Sequence, residues 1–126
     1  MVATLRNAML DAITTFAGAS CKLSIYSGTR PATGGTATTQ LAQLTCNATF
    51  APASSGGVLT LNSITSAAAG ATGTATWFRL FKSDGSTIVF DGDVGTSGAD
   101  LNLNSTAISS GATVSVTSAT ITAGNP

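Results

Sequence analysis

Ala75-Thr76-Trp77-Phe78-Arg79-Leu80-Phe81-Lys82 is followed directly by Ser83-Asp84-Gly85-Ser86 and then by Thr87-Ile88-Val89-Phe90-Asp91-Gly92-Asp93-Val94. Side chains on a strand alternate between the two faces of a sheet. Ala75, Trp77, Arg79 and Phe81 therefore share one face, and Thr76, Phe78, Leu80 and Lys82 share the other. Large apolar groups on both faces mark a central strand that is covered on both sides. Asp84-Gly85 tolerates the positive φ angles of a tight type I′ turn, so the segments either side of it are expected to form an antiparallel hairpin.

Outward from this hairpin, short Val/Ile/Thr/Leu/Phe runs recur between Gly, Ser, Pro and Asp, the spacing typical of sandwiches and barrels. Strands are expected at residues 21–27, 40–46, 58–64, 75–82, 87–94, 100–104 and 113–118, with a last stretch at 119–123. The small, polar segments 29–36 and 66–73 read as linkers, either disordered or ordered by neighbouring subunits. Residues 3–17 read as an amphipathic helix, because Leu5, Met9, Ala12, Ile13 and Phe16 stack on one side at helical spacing. Arg6, Asn7, Asp11 and Thr15 take the polar side, and Gly18 stops the helix. The apolar stripe either closes the core of its own domain, as helices usually do, or docks on a partner. The expected fold is mainly β, an antiparallel β-sandwich or jelly-roll-like domain at residues 21–126. It is preceded by the N-terminal helix and its cap at 1–20, and the whole forms a single structural unit.

Of the 126 residues, 43% are hydrophobic and only 8% charged, against about 25% in typical soluble domains. Net charge is zero, so little repulsion keeps copies apart and self-association is expected. Five basic and five acidic residues, scattered along the chain, offer no electrostatic footprint for nucleic acid or an anionic membrane. Arg6 and Asp11 interrupt what would have to be the apolar core of a secretory signal, and no apolar run is long enough to span a bilayer. Synthesis in a reducing cytoplasm is expected.

Histidine and glutamate are absent, which removes most general acid/base options and rules out Ser/His/Asp or Cys/His nucleophilic sites. The glycines follow neither phosphate-loop nor dinucleotide spacing. The protein is therefore expected not to be an enzyme, with no catalytic, cofactor-binding or metal residues. Asp91, Asp93 and Asp100 share a Gly-rich stretch with the oxygen chemistry calcium prefers, but Asp and Gly are also ordinary turn residues, and replacing any one by Asn is expected to cost little. Trp77, Phe78, Phe81, Phe90 and Tyr26 read as core instead of a carbohydrate platform, and Arg79 is expected to stack on Trp77 or find an Asp partner. Cys21 and Cys46 match no zinc spacing. They are expected close together as reduced thiols, with Leu23 opposite Leu44, Ile25 opposite Ala42 and Tyr26 opposite Leu41.

The chain resembles a group of small virion proteins of tailed bacteriophages. The resemblance is carried by the helix Leu5-Arg6-Asn7-Ala8-Met9-Leu10-Asp11-Ala12, the strand and proline turn Leu23-Ser24-Ile25-Tyr26-Ser27-Gly28-Thr29-Arg30-Pro31, and Gly73-Thr74-Ala75-Thr76-Trp77-Phe78-Arg79-Leu80. Asp91-Gly92-Asp93-Val94-Gly95 and Ile108-Ser109-Ser110-Gly111-Ala112-Thr113-Val114-Ser115-Val116 extend it over most of the chain. The resemblance implies a head decoration or cement protein, a homotrimer on the capsid surface of the virion that bridges subunits of the major capsid protein. A tail, fibre or baseplate component is the alternative, and an exported adhesin or carbohydrate-binding module is a further one.

Overall fold

The computed structural model describes residues 2–32 and 34–123; Met1, Thr33 of the 29–36 linker and residues 124–126 of the sandwich domain lie outside the described residues. Its elements are α1 (Ala3–Ala17), β1 (Lys22–Tyr26), β2 (Gln40–Thr45), β3 (Val58–Thr60), β4 (Ala67–Ala68), β5 (Gly73–Thr74), β6 (Trp77–Phe81), β7 (Ile88–Gly95), β8 (Leu101–Leu103), β9 (Ala107–Ile108), β10 (Thr113–Val114) and β11 (Val116–Thr122). The protein is mainly β, a sandwich-like domain behind one N-terminal helix. Seven strands form one sheet in the order β2-β1-β6-β7-β8-β11-β3, and two small ladders, β4 with β10 and β5 with β9, lie beside it.

The 75–82 segment is central, as its two apolar faces require: β6 runs antiparallel between β1 and β7. The hairpin turn differs from expectation. Gly85 takes φ 73°, but Ser20 is the sole non-glycine with positive φ among the described residues, so Asp84 does not enter a type I′ turn. Instead the Gly85 N–H donates to the Lys82 carbonyl, while the Asp84 carboxylate accepts from the Ser86 and Thr87 N–H groups and the Thr87 hydroxyl. An aspartate that holds the turn with its side chain has no need of positive φ.

One join in the sheet is parallel, Val94 facing Leu101 and Gly95 facing Asn102, where a wholly antiparallel sheet is expected from the sequence. The chain loops back through residues 96–100, pinned by Asn102, whose side chain bonds both the N–H (3.1 Å) and the carbonyl (3.2 Å) of Ala99. The 58–64 run is strand only to Thr60, after which the Leu61 N–H reaches the Ala119 carbonyl and the Asn62 N–H that of Phe50. Part of the 66–73 linker is ordered within the chain as β4 and the start of β5.

One face of the sheet carries Leu23, Ile25, Ala42, Leu44, Phe78 and Leu80 into the main core, where they meet Phe50, Leu59, Leu101 and Leu103. Burying each of the Leu, Ile and Phe side chains contributes about 1.5–3 kcal/mol. Phe78 lies over Gly92, where an added Cβ would sit 2.5 Å from the ring, and Phe90 meets that ring edge-on at 5.6 Å. Only a residue without a side chain lets the aromatic lie so close to the strand.

Candidate interaction surface

The helix forms over the residues its periodicity predicts, but it is turned the other way round. Leu10 and Ala17 enter the core, and Ile13 is half-buried. The rest of the apolar stripe faces solvent: Leu5 is 50% exposed, Met9 49% and Phe16 43%, with Val2 70% exposed at its start. The reading in which the stripe closes its own core is therefore corrected, and the reason lies in what the body offers. Ser54 N–H donates to Asp11 Oδ1 (2.8 Å), Gly57 N–H donates to Asn7 Oδ1 (2.9 Å), and Ser54 Oγ donates to the Asn7 carbonyl (2.9 Å). Arg6 lies against Gly57 and reaches the Ala123 carbonyl at 3.5 Å. Backbone groups taken out of water need partners, and a buried one left unpaired costs about 1–3 kcal/mol. The polar side of α1 supplies those partners, so the apolar stripe is left outside.

On the sheet face opposite the main core, Tyr26 stacks on Trp77 (centroids 4.3 Å apart, 16° between planes) and the Arg79 guanidinium sits 5.1 Å from the same ring. The Trp77 indole N–H donates to Thr38 Oγ1 at 2.9 Å, and that hydroxyl donates to the Ser27 carbonyl. Arg79 also makes a two-pronged bond to Asp91, Nε to Oδ1 at 2.7 Å and a terminal nitrogen to Oδ2 at 3.0 Å, with both side chains only 4% exposed. The carboxylate hydrogen bond holds the arginine pKa above its ordinary value. Arg79 thus both stacks on the ring and finds an aspartate. Trp77 is fully buried, so this cluster presents no aromatic platform to a sugar or base.

The three aspartates of residues 91–100 do not converge. Asp91 is buried on the Trp77 face of β7, which corrects its reading as a turn residue replaceable at little cost. Asp93 is exposed and pairs with Arg30 at 3.1 Å. Asp100 lies toward the opposite face, beside the space next to Gly92. Among the described residues no group of three or more His, Cys, Asp or Glu side chains is placed to hold a metal ion.

β1 and β2 pair with Leu23 opposite Leu44 and Ile25 opposite Ala42, and the Cys46 N–H donates to the Cys21 carbonyl at 2.8 Å. A bulge after Ile25 then inserts one extra residue in β2, so Tyr26 faces Gln40 and not Leu41. Cys21 and Cys46 are buried free thiols on neighbouring strand ends. The neighbouring Cys21 thiol first, and burial second, push the Cys46 pKa up, so it keeps its proton. A groove between residues 60–64 and 116–119 is lined by Thr, Ser, Asn and aliphatic side chains with no charged group. No helix among the described residues is long and apolar enough to cross a membrane. No protein-family model, curated protein or solved structure matches the chain.

Proposed function

We propose that the protein is a non-catalytic structural protein of a virion, a decoration or cement protein that seats as a homotrimer on the major capsid protein lattice. The observation that carries the binding role is the outward apolar stripe of α1. An amphipathic helix whose polar side is committed to its own body, and whose apolar side is open, presents a surface to be covered. The chemistry of the remainder agrees: histidine and glutamate are absent, and Arg79 and Asp91 are neutralised by each other. The choice of virion and capsid rests on the resemblance in the sequence.

Mixing the purified protein with empty heads and with isolated tails, then sedimenting the particles, tests the proposal. Co-sedimentation with heads, little changed between low and moderate salt, is expected, because a chain with so few charges binds through apolar burial and backbone hydrogen bonds. Binding to tails alone moves the assignment to a tail, fibre or baseplate component. Binding to neither removes the virion reading.

A further inference from the structure

We infer that the outward face of α1 is a self-association seam, covered by the same face of the neighbouring copies of this chain in its oligomer. The inference rests on reading the protein as one that assembles, and it names what occupies the helix. Val2, Leu5, Met9, Ala12 and Phe16 follow one another at intervals of three, four, three and four residues, and all five are exposed. That alternation is the repeat by which one helix meshes its side chains between those of another. Most surface helices show this pattern on the side that faces their own core. Here the core is served by Leu10, Ala17 and the half-buried Ile13, so a second, complete stripe remains for a partner.

Charge points to a copy of the same chain. Arg6 and Asp11 are the only charged residues of α1, and both turn inward to the 54–57 segment and the C-terminal end of β11. The helix's own outward positions, flanked by Thr4, Ala8 and Thr15, carry no charge, and the one cation set against them is Lys82 at the Phe16 end. Flanking charges are the device by which helices select unlike partners and reject their own kind. A face without them leaves nothing to oppose pairing with itself, and Ala8 and Ala12 let two backbones approach closely. Lys82, whose Nζ lies 4.1 Å from the Phe16 ring centroid, ends the stripe with a polar rim.

The area is sufficient. Four large side chains about half open, with their small neighbours, expose roughly 600 Å² on one copy, at the upper end of what monomers tolerate. Two such faces bury about 1,200 Å², the lower bound for a specific interface. Association is therefore reversible and concentration-dependent.

Sedimentation velocity of the full chain from about 1 to 100 µM is the test. Wild type is expected to shift with concentration to a mass above 12.3 kDa. The double variant Leu5→Glu, Met9→Glu is expected to stay monomeric throughout while keeping its far-ultraviolet spectrum. A charge-matched control, Thr96→Glu with Ser97→Glu on an exposed loop, should associate like wild type. Should the charged helix variant lose its fold, Leu5→Gln with Met9→Gln, which keeps helix propensity, is expected to weaken association at least tenfold. Wild type that remains monomeric overturns the inference, and so does an oligomer that survives a folded stripe variant. The separate particle-binding assay distinguishes the two proposals: self-association without binding to heads or tails supports the seam and removes the virion reading, whereas a monomer that binds heads overturns the seam and leaves the capsid-binding reading standing.

Discussion

Removing the Asp91 carboxylate is expected to be among the most costly single changes in the protein, although the residue sits in a Gly- and Asp-rich stretch. In Asp91→Ala the Arg79 guanidinium stays buried with its two short bonds gone. Breaking a buried pair from one side costs about 3–5 kcal/mol, because the remaining charge is left without a counterion. Two features place this site at the low end. The Trp77 ring still faces the guanidinium at 5.1 Å, and Asp93 stands two residues along on the same face of β7, where a shifted Arg79 can approach it. The expected loss is about 3 kcal/mol, or roughly 10 °C in Tm for a chain of this size. Urea denaturation of wild type, Asp91→Ala, Arg79→Met and the double variant Arg79→Met, Asp91→Leu, at one fixed protein concentration, measures the cycle. The double variant is expected to recover most of the loss, since an apolar pair of similar volume replaces a buried ion pair at little cost. Asp93→Asn, which touches only the exposed pair with Arg30, is expected to cost under about 0.5 kcal/mol. An Asp91→Ala protein within about 0.5 kcal/mol of wild type would refute the reasoning, as would a double variant no better than the single one.

Gly92→Ala places a methyl group 2.5 Å from the Phe78 ring and should lose about 1–3 kcal/mol, read by chemical denaturation; wild-type stability would mean that the ring is not held there. The Asp84 pKa is drawn down to about 2, first by the Thr87 hydroxyl and then by the Thr87 and Ser86 N–H groups. Because the folded value is depressed, the stabilisation is complete above the ordinary carboxylate value of about 4 and disappears as pH falls toward 2. Melting curves from pH 5 to 2 should therefore show the advantage of wild type over Asp84→Asn shrinking in that window, and a constant difference would count against it. Cys21 and Cys46 should resist alkylation in the native protein and react together on unfolding, as followed by intact mass; rapid labelling of either thiol in the folded state contradicts their placement in the core.

The central hairpin was legible because two-faced hydrophobicity and Asp-Gly are both local signals. Its most consequential pairing was not. Near the turn the register is the one a two-residue connection would set, with Phe81 opposite Ile88. Carried on without interruption, that register places Arg79 against Phe90. A bulge between Leu80 and Phe81 inserts Val89, and from there on Arg79 faces Asp91 and Phe78 faces Gly92. One unpaired residue thus brings the guanidinium to its carboxylate and the ring to the glycine that accommodates it. The bulge in β2 acts in the same way, moving Tyr26 from Leu41 to Gln40. Bulges follow from the twist and packing of the whole sheet, so no short window of sequence announces them. The two-residue strands β4, β5, β9 and β10 escape for a related reason, since their pairs lie far apart in the chain and carry no periodicity of their own.

The helix shows the other limit of sequence reading. Periodicity locates an apolar stripe on α1 but does not say which way the helix is rolled, because two quantities compete. Turning Leu5, Met9 and Phe16 inward would bury more apolar surface at about 25 cal/mol per Å². It would also draw Asn7 and Asp11 away from Ser54 and Gly57, leaving two backbone N–H groups and the Ser54 hydroxyl without their partners. Within one copy, the observed roll keeps the hydrogen bonds and gives up the burial. The proposed seam would restore the burial between copies and leave those bonds in place. Self-association, as proposed, would meet both demands of the helix, and it gives the roll of α1 a reason that the isolated chain lacks.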